Sequence, residues 1–239
     1  MRIVFMGSPE FAVDSLKALV EASQHEVVAV ITQPDRPKGR GQKVLMTAVK
    51  EYALTKNLPV LQPAKIRTQE FVEELKALEP ELIVVVAFGQ FLPKDILQMP
   101  KYGCINVHAS LLPKYRGAAP IHYAIMNGEK ETGVTIMMMD VGMDTGDMLA
   151  KAVTEISDEM TMGVLHDQLK IAGAKLLLDV VEGLEKGTIK PVPQNNEEAT
   201  YASLLDKEIE KIEWNNTAQE IHNKVSGLNP WPGAHSVLP

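Results

Sequence analysis

The chain has 239 residues, of which 45% are hydrophobic and 23% are charged, and its formal net charge is −7. This is ordinary globular composition, and the acidic balance excludes a nucleic-acid footprint spread over the whole surface, so any polyanion contact must be local. The apolar runs, such as residues 82–88, are far shorter than the roughly 20 residues of a membrane span. The first residues lack the features of a signal peptide, and a single cysteine, Cys104, excludes an internal disulfide. Together these features favour a cytoplasmic enzyme or binding protein with no membrane partner.

Short apolar runs alternate with helical patterns through the first 187 residues. Helices are predicted at roughly 9–22, 45–56, 68–78 and 161–186, with 33–43 as a loop. Strands are predicted at 2–7, 26–32, within 58–63, and at 82–89, 103–110 and 134–140, with a further candidate within 146–156. Strands that alternate with helices indicate an α/β fold with a mostly parallel sheet.

The sequence pattern changes after residue 187. Residues 188–208 are polar, contain prolines and have no steady period, which predicts a linker. Residues 209–239 include a predicted helix near 217–227 but are too few for a core of their own. They belong either to a second domain whose remainder is absent or to a tail that packs on the first domain.

The turn after the first strand does not carry a dinucleotide-binding motif. Such sites use G-x-G-x-x-G to bring the backbone onto a pyrophosphate. The corresponding "MGSPEFA" contains one glycine, Gly7, and no P-loop is present elsewhere. NAD or FAD binding is therefore disfavoured.

Asn106 and His108 end an apolar run, and alternation along a strand places both side chains on one face. Their Cα atoms would be about 6–7 Å apart, so the amide could donate to an oxyanion while the imidazole moves a proton. Cys104 shares this face, but it would lie about 13 Å from His108, too far for a thiol–imidazole hydrogen bond, and we interpret it as a core residue. The plainer alternative is a structurally satisfied histidine at a strand end, although the tight loop that comes next favours a binding site.

Three carboxylates, Asp140, Asp144 and Asp147, follow the strand at 134–140 and alternate with glycines. They could be solvated acids in a plain loop, because Asp and Gly favour turns. Alternatively, one of them orients and charges His108. Spacing alone does not choose among the three. The other histidines show no metal-ligand spacing, so no metal site is predicted.

Residues 34–43, "PDRPKGRGQK", hold four cations against one acid on an otherwise acidic chain. The cations are Arg36, Lys38, Arg40 and Lys43. An exposed loop of this kind is either an ordinary solvated segment or a local clamp for phosphates, and steep weakening by salt would distinguish the clamp.

Four segments, "TQPDRPKGRGQK", "INVHASLLPKYRGAAPI", "MDVGMDTGDM" and "NPWPGA", occur in this order along the chain. Together they resemble the folate-dependent formyltransferase family, and within it the enzymes that formylate methionyl-tRNA. The resemblance implies a catalytic trio of Asn106, His108 and Asp144. It is this resemblance, and not the spacing, that selects Asp144 over Asp140 and Asp147.

The resemblance also implies a Rossmann-like formyltransferase domain at residues 1–187, with 10-formyltetrahydrofolate as co-substrate and no metal. It assigns the folate contacts to strand ends and loops, namely Ser110, Leu111, Leu112, Pro113, Phe88, Leu92 and Val141. The basic loop would approach the acceptor stem of initiator methionyl-tRNA. After a linker at 188–208, residues 209–239 would begin a C-terminal β-barrel that binds tRNA, so we expect a truncated chain with a whole folate site and weakened tRNA affinity.

The reaction that the resemblance implies is direct attack of the methionine α-amine on the formyl carbon through a tetrahedral oxyanion, which gives N-formylmethionyl-tRNA for translation initiation. Two other classes remain open. One is a formyltransferase or hydrolase that acts on a small molecule such as a ribonucleotide or a sugar amine, and the other is a module that binds folate without catalysis. The basic loop and "NPWPGA" favour the tRNA enzyme.

Overall fold

The computed structural model describes residues 1–22, 24–38 and 43–237. Its strands are β1 (Arg2–Gly7), β2 (Glu26–Ile31), β3 (Arg36–Lys38), β4 (Lys43–Leu45), β5 (Val60–Leu61), β6 (Leu82–Val86), β7 (Cys104–His108), β8 (Arg116–Gly117), β9 (Glu131–Met138), β10 (Met148–Glu155) and β11 (Tyr201–Ala202). The strands that form the main sheet are short and largely apolar or alternating, while β3, β4, β8 and β11 lie outside that sheet.

Helices occupy most of the connections between these strands. They are α1 (Val13–Glu21), α2 (Ala48–Thr55), α3 (Gln69–Ala77), α4 (Lys94–Leu97), α5 (Pro120–Met126), α6 (Met162–Lys186) and α7 (Ala218–Gly227). Short 3₁₀ turns precede α1 and β11. Within the described part of the chain, no helix has both the length and the apolar character to cross a membrane.

Seven strands form the main sheet in the order β10–β9–β7–β6–β1–β2–β5. Five neighbouring strands pair in parallel, and these are β7, β6, β1, β2 and β5. Strands β9 and β10 are antiparallel to their neighbours. This parallel part has the Rossmann strand order, because β1 lies in its centre, β2 and β5 follow on one side, and β6 and β7 follow on the other. The predicted α/β fold with a mostly parallel sheet is confirmed.

Two apolar clusters cover the two faces of the sheet. Residues of α1, α2, α5 and α6 join one cluster with side chains such as Ile105 and Val107. Residues of α3 and α4 join the other, which includes Cys104. Since successive side chains of β7 point to opposite faces, this strand supplies both cores and then ends in polar residues on the Cys104 face.

The longest helix, α6, has sequence-encoded ends. Thr161 accepts a hydrogen bond from the backbone N–H of Val164 at its start, and Gly187 adopts the left-handed conformation, with φ of 66°, at its end. These are the usual cap chemistries, because a hydroxyl satisfies a free N–H and glycine has no Cβ to strain. They explain why the sequence predicted both boundaries of α6.

Two parts of the fold differ from the sequence prediction. The predicted loop at 33–43 contains β3 and the first residue of its partner β4, and the two strands pair as an antiparallel ribbon. The short helices α4 and α5 were not predicted, because each has too few residues for a period to show. Within residues 188–208, whose role as a linker stays a prediction, β11 pairs in parallel with β8.

The C-terminal residues pack on the first domain through α7, which contacts α5. Thr217 and Glu220 form a capping box at the start of α7. At its other end, Gly227 comes so close to Met126 that a Cβ there would overlap the methionine side chain. The described part of 209–239 is therefore docked, while the domain boundaries remain predictions.

Candidate active site

The last residues of β7 bring Asn106 and His108 together on one face of the strand, as their spacing predicts. The exposed fraction of His108 is only 5%, while Asn106 is half-buried. A buried imidazole must find hydrogen-bond partners, because an unsatisfied polar group in an apolar setting is costly.

The partners of the His108 ring determine which of its nitrogens carries the proton. Its Nε2 lies 2.9 Å from the carbonyl oxygen of Tyr115. A carbonyl can only accept, so Nε2 carries the proton, and this leaves Nδ1 as the atom that faces the site. Nδ1 lies 3.7 Å from Oδ2 of Asp144.

Tyr115 is itself held firmly, and this stabilises the carbonyl that orients His108. Its backbone is in the left-handed region, with φ of 59°, and its N–H donates to Thr200 Oγ1 at 2.8 Å. Its hydroxyl donates to Glu129 Oε1 at 2.6 Å. Burial, together with this hydrogen bond, raises the pKa of Tyr115 to about 12.

Asp144 is the carboxylate that reaches the pair. Its Oδ2 accepts the backbone N–H of Gly117 at 2.8 Å, and its Oδ1 lies 3.5 Å from Nδ2 of Asn106. The carboxylate of Asp140 serves its own loop instead: it accepts from Gly142 N and Thr145 Oγ1 and so closes a local turn. The geometry therefore distinguishes Asp144 from Asp140, a choice that spacing left open.

Cys104, two residues before Asn106 on the same face, belongs to the core. Its side chain is 1% exposed and lies near the carbonyl of Ile96. Burial raises the pKa of its thiol to about 12. It is therefore a neutral core side chain and not a nucleophile, in agreement with its interpretation from the sequence.

The segment after β7 is rigidly tied to β9. Ser110 is fully buried and donates its hydroxyl to the carbonyl of Lys114 at 2.6 Å, and Leu112 is also fully buried. The hydroxyl of Thr135 donates to Ser110 O at 2.7 Å and accepts from Leu112 N at 3.0 Å. Leu111 and Pro113 are half-buried, so these two side chains have surface left for a ligand.

The segment after β6 contains two of the predicted folate contacts, Phe88 and Leu92. Phe88 and Leu92 are 2% and 7% exposed and belong to the core, so a ligand at this point would meet their backbone instead of their side chains. Phe91, which sequence reasoning did not single out, is 71% exposed. The side chain of Val141, in the Asp144 loop, is 80% exposed and accessible, as expected of a contact residue.

Three of the four cations predicted to form a phosphate clamp lie on the β3–β4 ribbon. Arg36 is exposed, Lys38 and Lys43 pair with each other in the ribbon backbone, and Arg40 lies outside the described residues. At the base of the ribbon, Lys50 Nζ lies 2.6 Å from Asp35 Oδ2 and 2.7 Å from Gln62 Oε1.

Some contacts of the site could not be found in the sequence. The Gly117 N–H and the Tyr115 carbonyl are backbone groups, and every residue has such groups, so the residue types do not predict these contacts. Gln194, from the predicted linker, donates to the carbonyls of Asp144 and Gly146. It lies 50 residues from Asp144 in the chain, and its polar surroundings carry no pattern that would single it out.

One surface cluster combines possible metal ligands, and it involves none of the trio. Glu10, His166 and Asp167 come together among the described residues. Lys170 pairs with both carboxylates of this cluster. The ammonium group already supplies the positive charge that a metal ion would bring, so the cluster is explained as an ion-pair network.

Comparison with known proteins identifies two family models along the chain. The model described as formyl transferase matches residues 1–181, and the model described as formyl transferase, C-terminal domain, matches residues 204–239. Methionyl-tRNA formyltransferase of Acetivibrio thermocellus is 56% identical over 98% of this chain and 75% of its own length. The enzyme of the same name from Clostridium perfringens is 58% identical over 98% of this chain and 75% of its own length.

Solved structures show the same fold. An N-formyltransferase from Helicobacter canadensis, in complex with folinic acid and dTDP-3-aminofucose, has a TM-score of 0.72 and 26% identity over 95% of this chain and 80% of that one. HypX from Aquifex aeolicus, in complex with tetrahydrofolic acid, has a TM-score of 0.72 and 21% identity over 99% of this chain and 36% of that one. Folate derivatives are thus bound by structural neighbours of this chain.

Proposed function

This chain belongs to the formyl transferase family, among the methionyl-tRNA formyltransferases, and on that premise we propose that it transfers the formyl group of 10-formyltetrahydrofolate to the α-amine of methionine on initiator tRNA. The observation that carries the proposal is the meeting of a buried histidine, an amide and a carboxylate: His108, Asn106 and Asp144. A histidine–carboxylate pair beside an amide donor is suited to acyl transfer, which needs proton movement and stabilisation of an oxyanion.

The co-substrate supplies the electrophile, a formyl carbonyl attached to N10 of the folate. The residues after β6 fit a flat, polar ring system. Gln90 is half-buried, and its buried Nε2 has no hydrogen-bond partner among the described residues. A rotation of this side chain toward the ligand would let Nε2 donate to a ring carbonyl or nitrogen. The exposed ring of Phe91 offers an apolar surface, and Leu111, Pro113 and Val141 would complete the walls.

Asn106 serves as the amide donor. Its Nδ2 makes one long contact, 3.5 Å, to Asp144, and an amide nitrogen has two hydrogens. The second hydrogen can point to the formyl oxygen as that oxygen gains negative charge. Such a preorganised donor commonly contributes about 10²–10³ in rate.

His108 and Asp144 hold the proton that the attacking amine loses and pass it to N10 of the folate. The bond between N10 and the formyl carbon then breaks, and tetrahydrofolate leaves with N10 protonated. Because Nε2 is committed to the Tyr115 carbonyl, Nδ1 is the ring atom free to exchange a proton. A proton between Nδ1 and Oδ2 of Asp144 satisfies both atoms, while the Gly117 N–H keeps Oδ2 in place. No covalent intermediate with the chain is required.

The β3–β4 ribbon is the proposed tRNA contact within this domain. Arg36, Lys38, Arg40 and Lys43 put positive charge on an acidic chain, and phosphate contacts need only charge and approximate position. The 10-formyl donor, the initiator tRNA and a division into a domain at 1–187, a linker at 188–208 and the start of a tRNA-binding domain at 209–239 are all parts of the proposal.

The experiment that tests the function follows labelled formyl from 10-formyltetrahydrofolate to methionyl initiator tRNA. It is run at low and high salt with the wild-type chain and with His108→Ala, and an amino-sugar nucleotide serves as a second acceptor. Formylmethionyl-tRNA that is absent with His108→Ala supports the reaction and the site, and loss of the product at high salt supports a phosphate contact. Transfer to the sugar amine with none to tRNA would contradict the proposed substrate and keep the folate site.

A further inference from the structure

The segment that follows α6 and its connecting turn runs directly past the Asp144 loop. Val192 exchanges two backbone hydrogen bonds with Met148, each 2.8 Å long, and Tyr201 and Ala202 pair with β8. Between these two attachments, Gln194 is half-buried while its neighbours from 191 to 198 are exposed. Gln194 is therefore the least exposed residue within 191–198, and its side chain points toward the site.

Gln194 forms two hydrogen bonds to the backbone of the Asp144 loop. Its Nε2 donates to the carbonyl of Asp144 at 2.8 Å and to the carbonyl of Gly146 at 2.8 Å. These two bonds use both hydrogens of the amide nitrogen. They hold the loop at Asp144 itself and two residues further on, so they restrain the backbone that aims the Asp144 side chain.

Arg116 determines which way the Gln194 amide points. Its Nε and Nη2 donate to Gln194 Oε1 at 3.0 and 2.8 Å, and Nη2 also donates to Asn196 Oδ1 at 2.8 Å. A guanidinium can only donate, so the amide oxygen must face Arg116 and the amide nitrogen must face the loop. A flipped amide would place donor against donor and acceptor against acceptor.

The Arg116 guanidinium is an unusual partner because it is buried. The residue is 2% exposed, and these hydrogen bonds go to neutral amides instead of carboxylates. A charge in a water-poor setting strengthens the hydrogen bonds it makes, and the polarised amide becomes a better donor at its other end. The chain of contacts from Arg116 through Gln194 thus ends on the loop of Asp144.

The Asp144 loop needs such support. Asp144 has a φ of 53°, in the left-handed region that a residue with a Cβ enters at a cost. The neighbouring residues Val141, Gly142 and Met143 are exposed and do not hold the loop against the core. The Asp140 side chain closes only its own local turn.

We infer that Gln194 is a positioning residue for Asp144, and that Arg116 acts by fixing the orientation of the Gln194 amide. The segment after α6 is on this view part of the catalytic apparatus and not only a connection to the C-terminal residues. The inference rests on the proposed function for its effect on rate, and on the geometry alone for its effect on the loop.

The discriminating variant is Gln194→Glu. Its carboxylate keeps the size of the side chain and still pairs with Arg116, but it has no N–H to give to the two carbonyls. The matched control is Asn196→Ala, which removes another hydrogen bond to the same guanidinium without touching the Asp144 loop. Three quantities are measured for each: Tm, the kcat and KM of formyl transfer, and backbone hydrogen exchange between residues 140 and 148.

For Gln194→Glu we expect kcat to fall about 10- to 100-fold, because a small misplacement of a reacting group has an effect of this size. KM for the folate and Tm should stay near the wild-type values, and hydrogen exchange in the loop should be faster. Asn196→Ala should retain the wild-type kcat and the wild-type exchange. A merely structural role for Gln194 predicts the reverse pattern, a change in Tm with kcat preserved.

Two results would overturn the inference. The first is a kcat for Gln194→Glu within about threefold of wild type, which is under about 1 kcal/mol of barrier. The second is an equal effect of Gln194→Glu and Asn196→Ala on kcat and on hydrogen exchange in the loop. If the wild-type chain transfers no formyl group to methionyl-tRNA, that result counts against the proposed function instead. Exchange in the loop then decides the positioning role: faster exchange in Gln194→Glu alone supports it, and unchanged exchange refutes it.

Discussion

The end of β7 and the β3–β4 ribbon differ in burial and in the way their side chains are held. At the end of β7, His108 is 5% exposed, and backbone groups of Tyr115 and Gly117 hold His108 and Asp144 in place. The ribbon is a two-stranded antiparallel pair outside the main sheet, with Val44 61% exposed and Leu45 41% exposed. One region is buried and surrounded by hydrogen bonds, and the other is tied down mainly at its base.

The difference matches the physics of the two tasks that we propose. Proton transfer and oxyanion stabilisation depend on distances near 3 Å, so the groups must be held by a packed core. Attraction between cations and phosphates falls off slowly with distance and tolerates loose placement. Changes at the trio should therefore act on kcat, whereas changes in the ribbon should act on tRNA affinity.

The largest effect is expected from the trio. His108→Ala and Asn106→Ala should each lower kcat by about 10²–10³-fold with a smaller rise in KM for the folate, because they remove groups that act on the transition state. Single-turnover formyl transfer measures this. Cys104→Ala, on the same face of the same strand, is the control and should keep kcat within about threefold, under about 1 kcal/mol of barrier. If His108→Ala and Asn106→Ala kept kcat as close to wild type as this control does, the assignment of these residues as catalytic would be wrong.

Gly146→Ala tests the loop that carries Asp144. A Cβ on Gly146 would overlap the carbonyl oxygen of Met138, so the loop must shift, and we expect kcat to fall by about 10-fold or more through the displaced carboxylate. The control is Gly187→Ala, which strains a left-handed helix end with open space around it. That control should lower Tm without changing kcat, and a wild-type kcat for Gly146→Ala would show that the loop adapts.

Arg36→Ala should have a moderate effect confined to tRNA. We expect a several-fold rise in KM for methionyl-tRNA at constant kcat, and a decrease of about one in the slope of log affinity against log salt. Lys101→Ala removes one exposed cation that pairs with Tyr102, just before β7, and serves as the control. Equal KM values for the two variants would mean that the ribbon is an ordinary solvated segment.

The smallest effect concerns the base of the ribbon in acid. The hydrogen bond from Lys50, followed by that from Gln62, lowers the pKa of Asp35 below its usual value of 3.8. Because the folded-state pKa is the lower one, the contribution of Asp35 to folding is complete above about pH 3.8 and is lost as the pH falls through that lower value. Urea unfolding of the wild type and of Asp35→Asn should therefore converge in strong acid. A difference in stability that stays constant at all pH values would exclude this linkage.

Much of the fold could be read from local pattern. The strands of the parallel sheet and the ends of α6 were predictable, because apolar runs, helical periods and caps act between neighbours in the chain. The shared face of Asn106 and His108 follows from strand alternation in the same way. The resemblance to formyltransferases added Asp144, and the geometry independently brings this carboxylate to His108.

Other features were decided only when distant parts of the chain met. Sequence alternation could not show that Phe88 and Leu92 would be enclosed by the core, or that Phe91 would remain exposed. It also could not connect Gln194 to the Asp144 loop across 50 residues, because a side-chain amide bound to backbone carbonyls leaves no period or motif. The sequence by itself thus determined the strands of the parallel sheet, the ends of α6 and the polar pair on β7. The tertiary structure decided which carboxylate meets that pair and which residues support it, since those contacts join groups that only folding brings together.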